Sequence, residues 1–155
     1  MNSIEEIRGY LRLSDRLATS GMPQPQHFAA LREAGFEVVI NLALPTSDNA
    51  LPNEGELVSK QGMAYIHLPV KFDAPQPADF ERFSRVMDVC EGQRVFVHCA
   101  ANMRVSAFMF LYRLQRGQVS RDEAERDLRR IWEPDEVWRE FINVCLAESG
   151  QPPLN

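Results

Sequence analysis

The chain has 155 residues, 45% of them hydrophobic, a formal net charge of -5 and a pI near 5.2. That length closes one substantial core but not two, so a single domain over 1–155 is expected, and the acidic balance excludes a protein built to coat nucleic-acid phosphates. The opening MNSIEEIRGYLRLSD has no apolar leader and no stretch approaches the ~20 apolar residues of a membrane span, so a soluble, cytoplasmic chain with no membrane or nucleic-acid partner is expected.

In chain order, a weak strand is predicted around Leu17 to Thr19, before the turn-like SGMPQP. PQHFAALREAG predicts a helix stopped by Gly35, and FEVVINL (36–42) a buried strand. NEGELVSKQG predicts a short helix ending at Gly62, and AYIHLPV (64–70) a second firm strand. In PADFERFSRVMDVCEG, Phe80, Phe83, Met87 and Cys90 fall three or four apart and form the apolar stripe of a core-facing helix. RVFVH (94–98) is the third firm strand, followed by an apolar helix, VSAFMFLYRLQRG. Ser120 and Glu123 form a capping box for the charged helix RDEAERDLRR, and a last helix starting at Pro134 buries Trp138, Phe141, Ile142 and Cys145. Strands separated by helices, with no hairpin signal, imply an α/β fold with a central, mostly parallel sheet of four or five strands flanked by helices. The polar, Pro-containing stretches at 44–53 and 73–79 predict surface loops at the sheet edge.

Three cysteines at 90, 99 and 145 cannot all pair and have no metal-ligand spacing, so no metal is expected and a reducing compartment fits. Cys90 and Cys145 fall among apolar neighbours in helical patterns and read as inert thiols. Cys99 differs, because VFVHCAANMRVSAF places it between a strand and a helix, at the carboxyl end where open α/β sheets bind ligands. A loop of small residues entering a helix aims backbone N–H groups at one point, and the helix dipole adds partial positive charge. The same field favours the thiolate, while the Arg104 guanidinium offers a planar fork for two phosphate oxygens.

His98-Cys99, a short loop, Arg104 and the following Ser106 resemble the signature of cysteine-dependent tyrosine and dual-specificity phosphatases. The order FEVVINL, GMAYIHLPV, an acidic loop and helix, then RVFVHC is similar to the small bacterial branch of that superfamily over most of 13–116. The resemblance implies a tyrosine-phosphatase-like fold and metal- and cofactor-free hydrolysis of a phosphorylated protein or small molecule through a phosphocysteine at Cys99. It further implies that His98 orients the loop, that Ser106 assists release of the thiol, and that Ala100, Ala101, Asn102, Met103, Arg104 and Val105 bind the phosphate. The general acid it requires falls to Asp73, in VKFDAPQP, with Asp79 and Glu81 as alternatives.

The family pattern has five residues between Cys and Arg, usually with a glycine; here Ala100 to Met103 are four, with none. One helical position turns a side chain by about 100 degrees. Asn102, tolerant of positive φ, could stand where glycine would be. The short loop keeps two alternatives open: a phosphate-recognition module without catalysis, and a rhodanese-like sulfurtransferase. The His before Cys99, IHLPV with its acidic loop, and Arg-x-Ser favour the phosphatase.

Overall fold

The β-branched and aromatic runs become strands β2 (Leu17–Ser20), β3 (Val38–Asn41), β4 (Ala64–His67) and β5 (Val95–His98), joined by β1 (Leu11–Ser14) in one sheet of order β1-β2-β5-β3-β4. The structure is a computed structural model describing residues 3–154, so Met1, Asn2 and Asn155 of the expected domain lie outside it. β2, β5, β3 and β4 run parallel, giving the expected α/β architecture with a central, mostly parallel sheet. The expectation of no hairpin is corrected: β1 pairs antiparallel with β2, with a register shift between Arg12 and Ser14. The turn at Asp15-Arg16 carries none of the Asn-Gly chemistry that advertises a hairpin, and the only sequence trace is the alternation of Leu11 and Leu13 with Arg12 and Ser14.

Among the described residues six α-helices cover the sheet: α1 (His27–Glu33), α2 (Glu54–Lys60), α3 (Pro77–Val89), α4 (Met103–Gln115), α5 (Arg121–Ile131) and α6 (Glu136–Glu148). The last begins later than expected, since the Asp135 side chain accepts from Trp138 N–H at 2.9 Å and caps it, leaving Pro134 outside. Because strand side chains alternate, Ala18, Val39 and Phe96 face one way and pack with Phe28, Leu31 and Val58 of α1 and α2. Leu17, Val38, Ile40, Val95 and Val97 face the other way, against α3, α4, α5 and α6. Continued past the strand, this alternation sends His98 to the α2 face and Cys99 to the α4 face.

Helix α4 is buried from Arg104 through Arg113, which explains its apolar residues on every side. Buried Arg113 is paired with Asp127 at 2.8 Å and Glu123 at 3.6 Å on α5. Phe108, fully buried, meets the rings of Phe80, Phe83, Trp138 and Phe141 at 5.4–5.9 Å. Phe108→Ala is expected to lower stability by about 3–5 kcal/mol in urea denaturation, through lost transfer energy and the cavity left behind.

Candidate active site

Strand register aligns Ser20, His98, Asn41 and His67 in one row across the carboxyl edge of the sheet. The chain leaves β5 at Cys99, which is 1% exposed, and turns through Ala100, Ala101 and Asn102 into α4. Asn102 has φ 64°, and among the described residues it is the one non-glycine with positive φ, so it fills the place expected of a glycine. The first bond of α4 runs from Ser106 N–H to Asn102 C=O at 2.9 Å. The amides of Met103, Arg104 and Val105 precede it and are the orphan donors of a helix start, carrying the positive end of its dipole.

The loop is braced from several sides. Asn102 Nδ2 donates to the Gly9 carbonyl at 2.8 Å and to Thr19 Oγ1 at 3.0 Å. The Ala100 carbonyl accepts from Met22 N–H at 3.1 Å and from Asn49 Nδ2 at 3.2 Å. Gly21 makes this approach sterically feasible: a Cβ there would lie 2.7 Å from the Ala100 carbonyl oxygen and 3.1 Å from Ala101 Cα, both rigid backbone.

Arg104, 5% exposed, donates from Nη1 to the Val70 carbonyl at 2.9 Å, and its guanidinium lies 5.7 Å from the centre of the Phe72 ring. Its Nε–H is buried and has no acceptor among the described residues. Phe72 is held in turn between Trp132 and Trp138, at 5.8 and 5.9 Å, and its carbonyl accepts from Trp138 Nε1 at 2.7 Å. Arg104 therefore ties the Cys99 loop to segment 70–73, whose last residue is Asp73. Asp73 is exposed and makes no hydrogen bond or ion pair among the described residues. The alternatives are engaged otherwise: Asp79 Oδ2 accepts from Gln76 N–H at 3.0 Å in a capping box, and Glu81 pairs with Arg85.

His98, fully buried, sets Nδ1 3.1 Å from the Cys99 carbonyl oxygen and Nε2 against Glu54 Oε2. Glu54 Oε1 accepts from Asn41 Nδ2 at 3.2 Å, and Asn41 Nδ2 also donates to Tyr65 Oη at 3.0 Å. Burial pushes the Tyr65 phenol up to about 12, against the opposing pull of the Asn41 bond. Asn41 is linked to the loop through Glu54 and His98. His67 is satisfied by the Ala43 carbonyl at 2.7 Å.

Ser106 Oγ donates to the Met103 carbonyl at 2.8 Å and accepts from Trp132 Nε1 at 3.0 Å, so its hydrogen bonds go to these residues and not to Cys99. The Val105 side chain is in the core, leaving only its backbone for a ligand. Cys90 and Cys145 are buried, and burial raises both thiols, with Glu148 adding to the effect at Cys145, which is pushed up to about 12.

The family model described as DSP-PTPase phosphatase fused to NAD+ kinase matches residues 12–140. The chain belongs to this family of dual-specificity and tyrosine phosphatase-like domains. A beta-lactamase hydrolase-like protein of Xylella fastidiosa is 31% identical over 116 residues, which make up 73% of this chain but only 27% of that longer protein. A DUF442 crystal structure from Shewanella putrefaciens superposes with a TM-score of 0.85 at 35% identity, covering 94% of this chain and 96% of that one. PTPMT1 in complex with PI(5)P shares the fold alone, with a TM-score of 0.74 at 19% identity over 91% of this chain and 96% of that one.

Within this DSP-PTPase domain, His98 and Cys99 lead into the loop that carries Arg104, and Arg104 contacts Val70 and Phe72, residues just before Asp73, while the Asp73 side chain itself makes no hydrogen bond or ion pair among the described residues. Glu54 was missed as a site residue. Its one sequence signal is a carboxylate at the start of a helix that must cover the His98 face of the sheet. Gly21 and Trp138 were read as turn and core, yet Gly21 lets the loop approach and Trp138, with Trp132, holds Phe72.

Proposed function

We propose that the chain hydrolyses phosphate monoesters through a phosphocysteine at Cys99, without metal or organic cofactor. The observation that carries this reading is Arg104, whose Nε–H is buried without an acceptor among the described residues while Nη1 fixes the side chain. A phosphate oxygen at the loop supplies that acceptor, alongside the orphan amides of the first α4 turn. The Cys99 thiolate attacks phosphorus, the bond from phosphorus to the leaving oxygen breaks, and Asp73 delivers a proton to that oxygen. Asp73 then takes a proton from water as the water attacks phosphorus, and the sulfur–phosphorus bond breaks to release phosphate. His98 supports Cys99 through its carbonyl, and Ser106 steadies the first α4 turn through Met103 and Trp132. The substrate is a phosphorylated protein or small molecule. Three unpaired buried cysteines support a reducing, cytoplasmic setting. No helix among the described residues is long and apolar enough to cross a membrane.

The test is release of phosphate from p-nitrophenyl phosphate by the purified chain with a chelator present. Turnover supports the reading; phosphate or vanadate binding without turnover would replace it with a recognition module, and activity on thiosulfate alone with a sulfurtransferase. In the same assay, Asp73→Asn is expected to lower kcat by about 10²–10⁴-fold. Asp79→Asn is expected to leave kcat within a few-fold of wild type and to cost about 1 kcal/mol of stability by loosening the α3 cap.

A further inference from the structure

We propose that Glu54 is a positioning residue for the chemistry at Cys99, holding the His98 imidazole doubly protonated so that a cation backs the cysteine. The consequence for catalysis rests on the phosphatase reading; the protonation does not. A carbonyl oxygen only accepts hydrogen bonds, so His98 Nδ1, 3.1 Å from the Cys99 carbonyl, carries a hydrogen. Were the ring neutral with that hydrogen on Nδ1, Nε2 would be bare, and Glu54 would have to be a carboxylic acid to bond with it. The other Glu54 oxygen accepts from Asn41 Nδ2 at 3.2 Å, and N–H donation onto a carboxyl group favours its ionised form. The contact between Nε2 and Glu54 Oε2 then needs the second hydrogen on nitrogen.

Burial couples the two charges. The side chains are 0% and 3% exposed, a depth at which a charge on either one requires the opposite charge on the other, so removing the Glu54 carboxylate should also remove the His98 charge. The other titratable groups around the pair are accounted for. Tyr65 on β4 touches it only through Asn41 and stays a neutral phenol. His67 on β4 is bonded to the Ala43 carbonyl, and Arg104 on α4, on the Cys99 face of the sheet, is bonded to the Val70 carbonyl. None of these is an anion, so Glu54 is the counter-charge that keeps His98 cationic. The imidazolium, hydrogen-bonded to the cysteine's own carbonyl, adds to the positive field of the α4 amides and favours the thiolate. Strand alternation makes the arrangement workable, since Glu54 acts from behind the sheet without occupying the substrate side.

The test uses the whole chain with isotope-labelled histidine, followed by nitrogen NMR. In wild type, both His98 ring nitrogens are expected to carry hydrogens at neutral pH; in Glu54→Gln, the Nε2 hydrogen is expected to be lost. In parallel, the ultraviolet thiolate absorbance that disappears in Cys99→Ser is titrated. Its midpoint is expected to rise by about one pH unit or more in Glu54→Gln and to recover in part in Glu54→Asp. A singly protonated His98 in wild type, or an unmoved midpoint in folded Glu54→Gln, would overturn the proposal. Should Glu54→Gln fail to fold, the wild-type spectrum still decides. Neither readout needs turnover, so a doubly protonated His98 in a chain that cleaves no phosphate ester would overturn the phosphatase reading and leave the pair standing.

Discussion

Cys99→Ser is expected to reduce hydrolysis of p-nitrophenyl phosphate by about 10⁴-fold or more, because a serine hydroxyl in this site has no base to ionise it and cannot replace a thiolate nucleophile. The fold should survive the change. Cys99 is buried at the strand end and makes its backbone bonds, such as Cys99 N–H to Ser20 C=O at 3.3 Å, independently of its sulfur. Vanadate and phosphate should therefore still bind, since the first-turn amides and Arg104 are untouched. Cys90→Ser and Cys145→Ser serve as the comparison, as their raised thiols predict full turnover once modest packing losses are allowed for. Turnover equal to wild type in Cys99→Ser would remove the phosphocysteine from consideration.

Substitution of Arg104 has the next largest expected effect. Arg104→Ala is expected to lower kcat/KM by about 10²–10³-fold or more by removing a charged donor from the developing oxyanion. It also strips the Val70 carbonyl of its partner, leaving a buried acceptor unsatisfied at about 1–3 kcal/mol. Arg104→Lys separates the two roles. A lysine keeps the charge but loses the fork and the Nε–H, so activity should fall nearly as far while the segment holding Phe72 and Asp73 stays better ordered than in the alanine variant. Competitive inhibition by inorganic phosphate is the decisive readout. An inhibition constant unchanged in both variants would mean that Arg104 serves only to hold segment 70–73.

The seat of Arg104 on Val70 and Phe72 bears on the short spacing. Counting from the cysteine sets the arginine one position early on an ideal helix, where its side chain would turn by about 100 degrees. The loop adapts before the helix begins, by the left-handed conformation of Asn102 and by the bonds of its side chain to Gly9 and Thr19. The guanidinium is then seated on Val70 and Phe72. The short loop depends on neighbours far away in the chain, and no count of residues within 98–106 could show them.

Much was legible without coordinates. The parallel strands followed from β-branched and aromatic runs separated by helical periodicity, since a parallel pair needs a crossover and the runs are too short to be helices. The Cys99 loop followed from its place between strand and helix, and the left-handed turn from an asparagine where a glycine was wanted. These are local properties, set by backbone sterics and hydrogen-bond patterns within a few residues. The tertiary structure alone decided the β1–β2 hairpin, whose turn lacks the usual residues, and the buried contact between Glu54 and His98. It also decided the close approach that requires Gly21, and the chain of contacts that links Trp138, Phe72 and Arg104. Each joins residues distant in sequence whose types are ordinary in isolation: a helix-start glutamate, a turn glycine, a core tryptophan. Their roles arise from strand order and from the alternation of side chains across the sheet, which sets what lies opposite what.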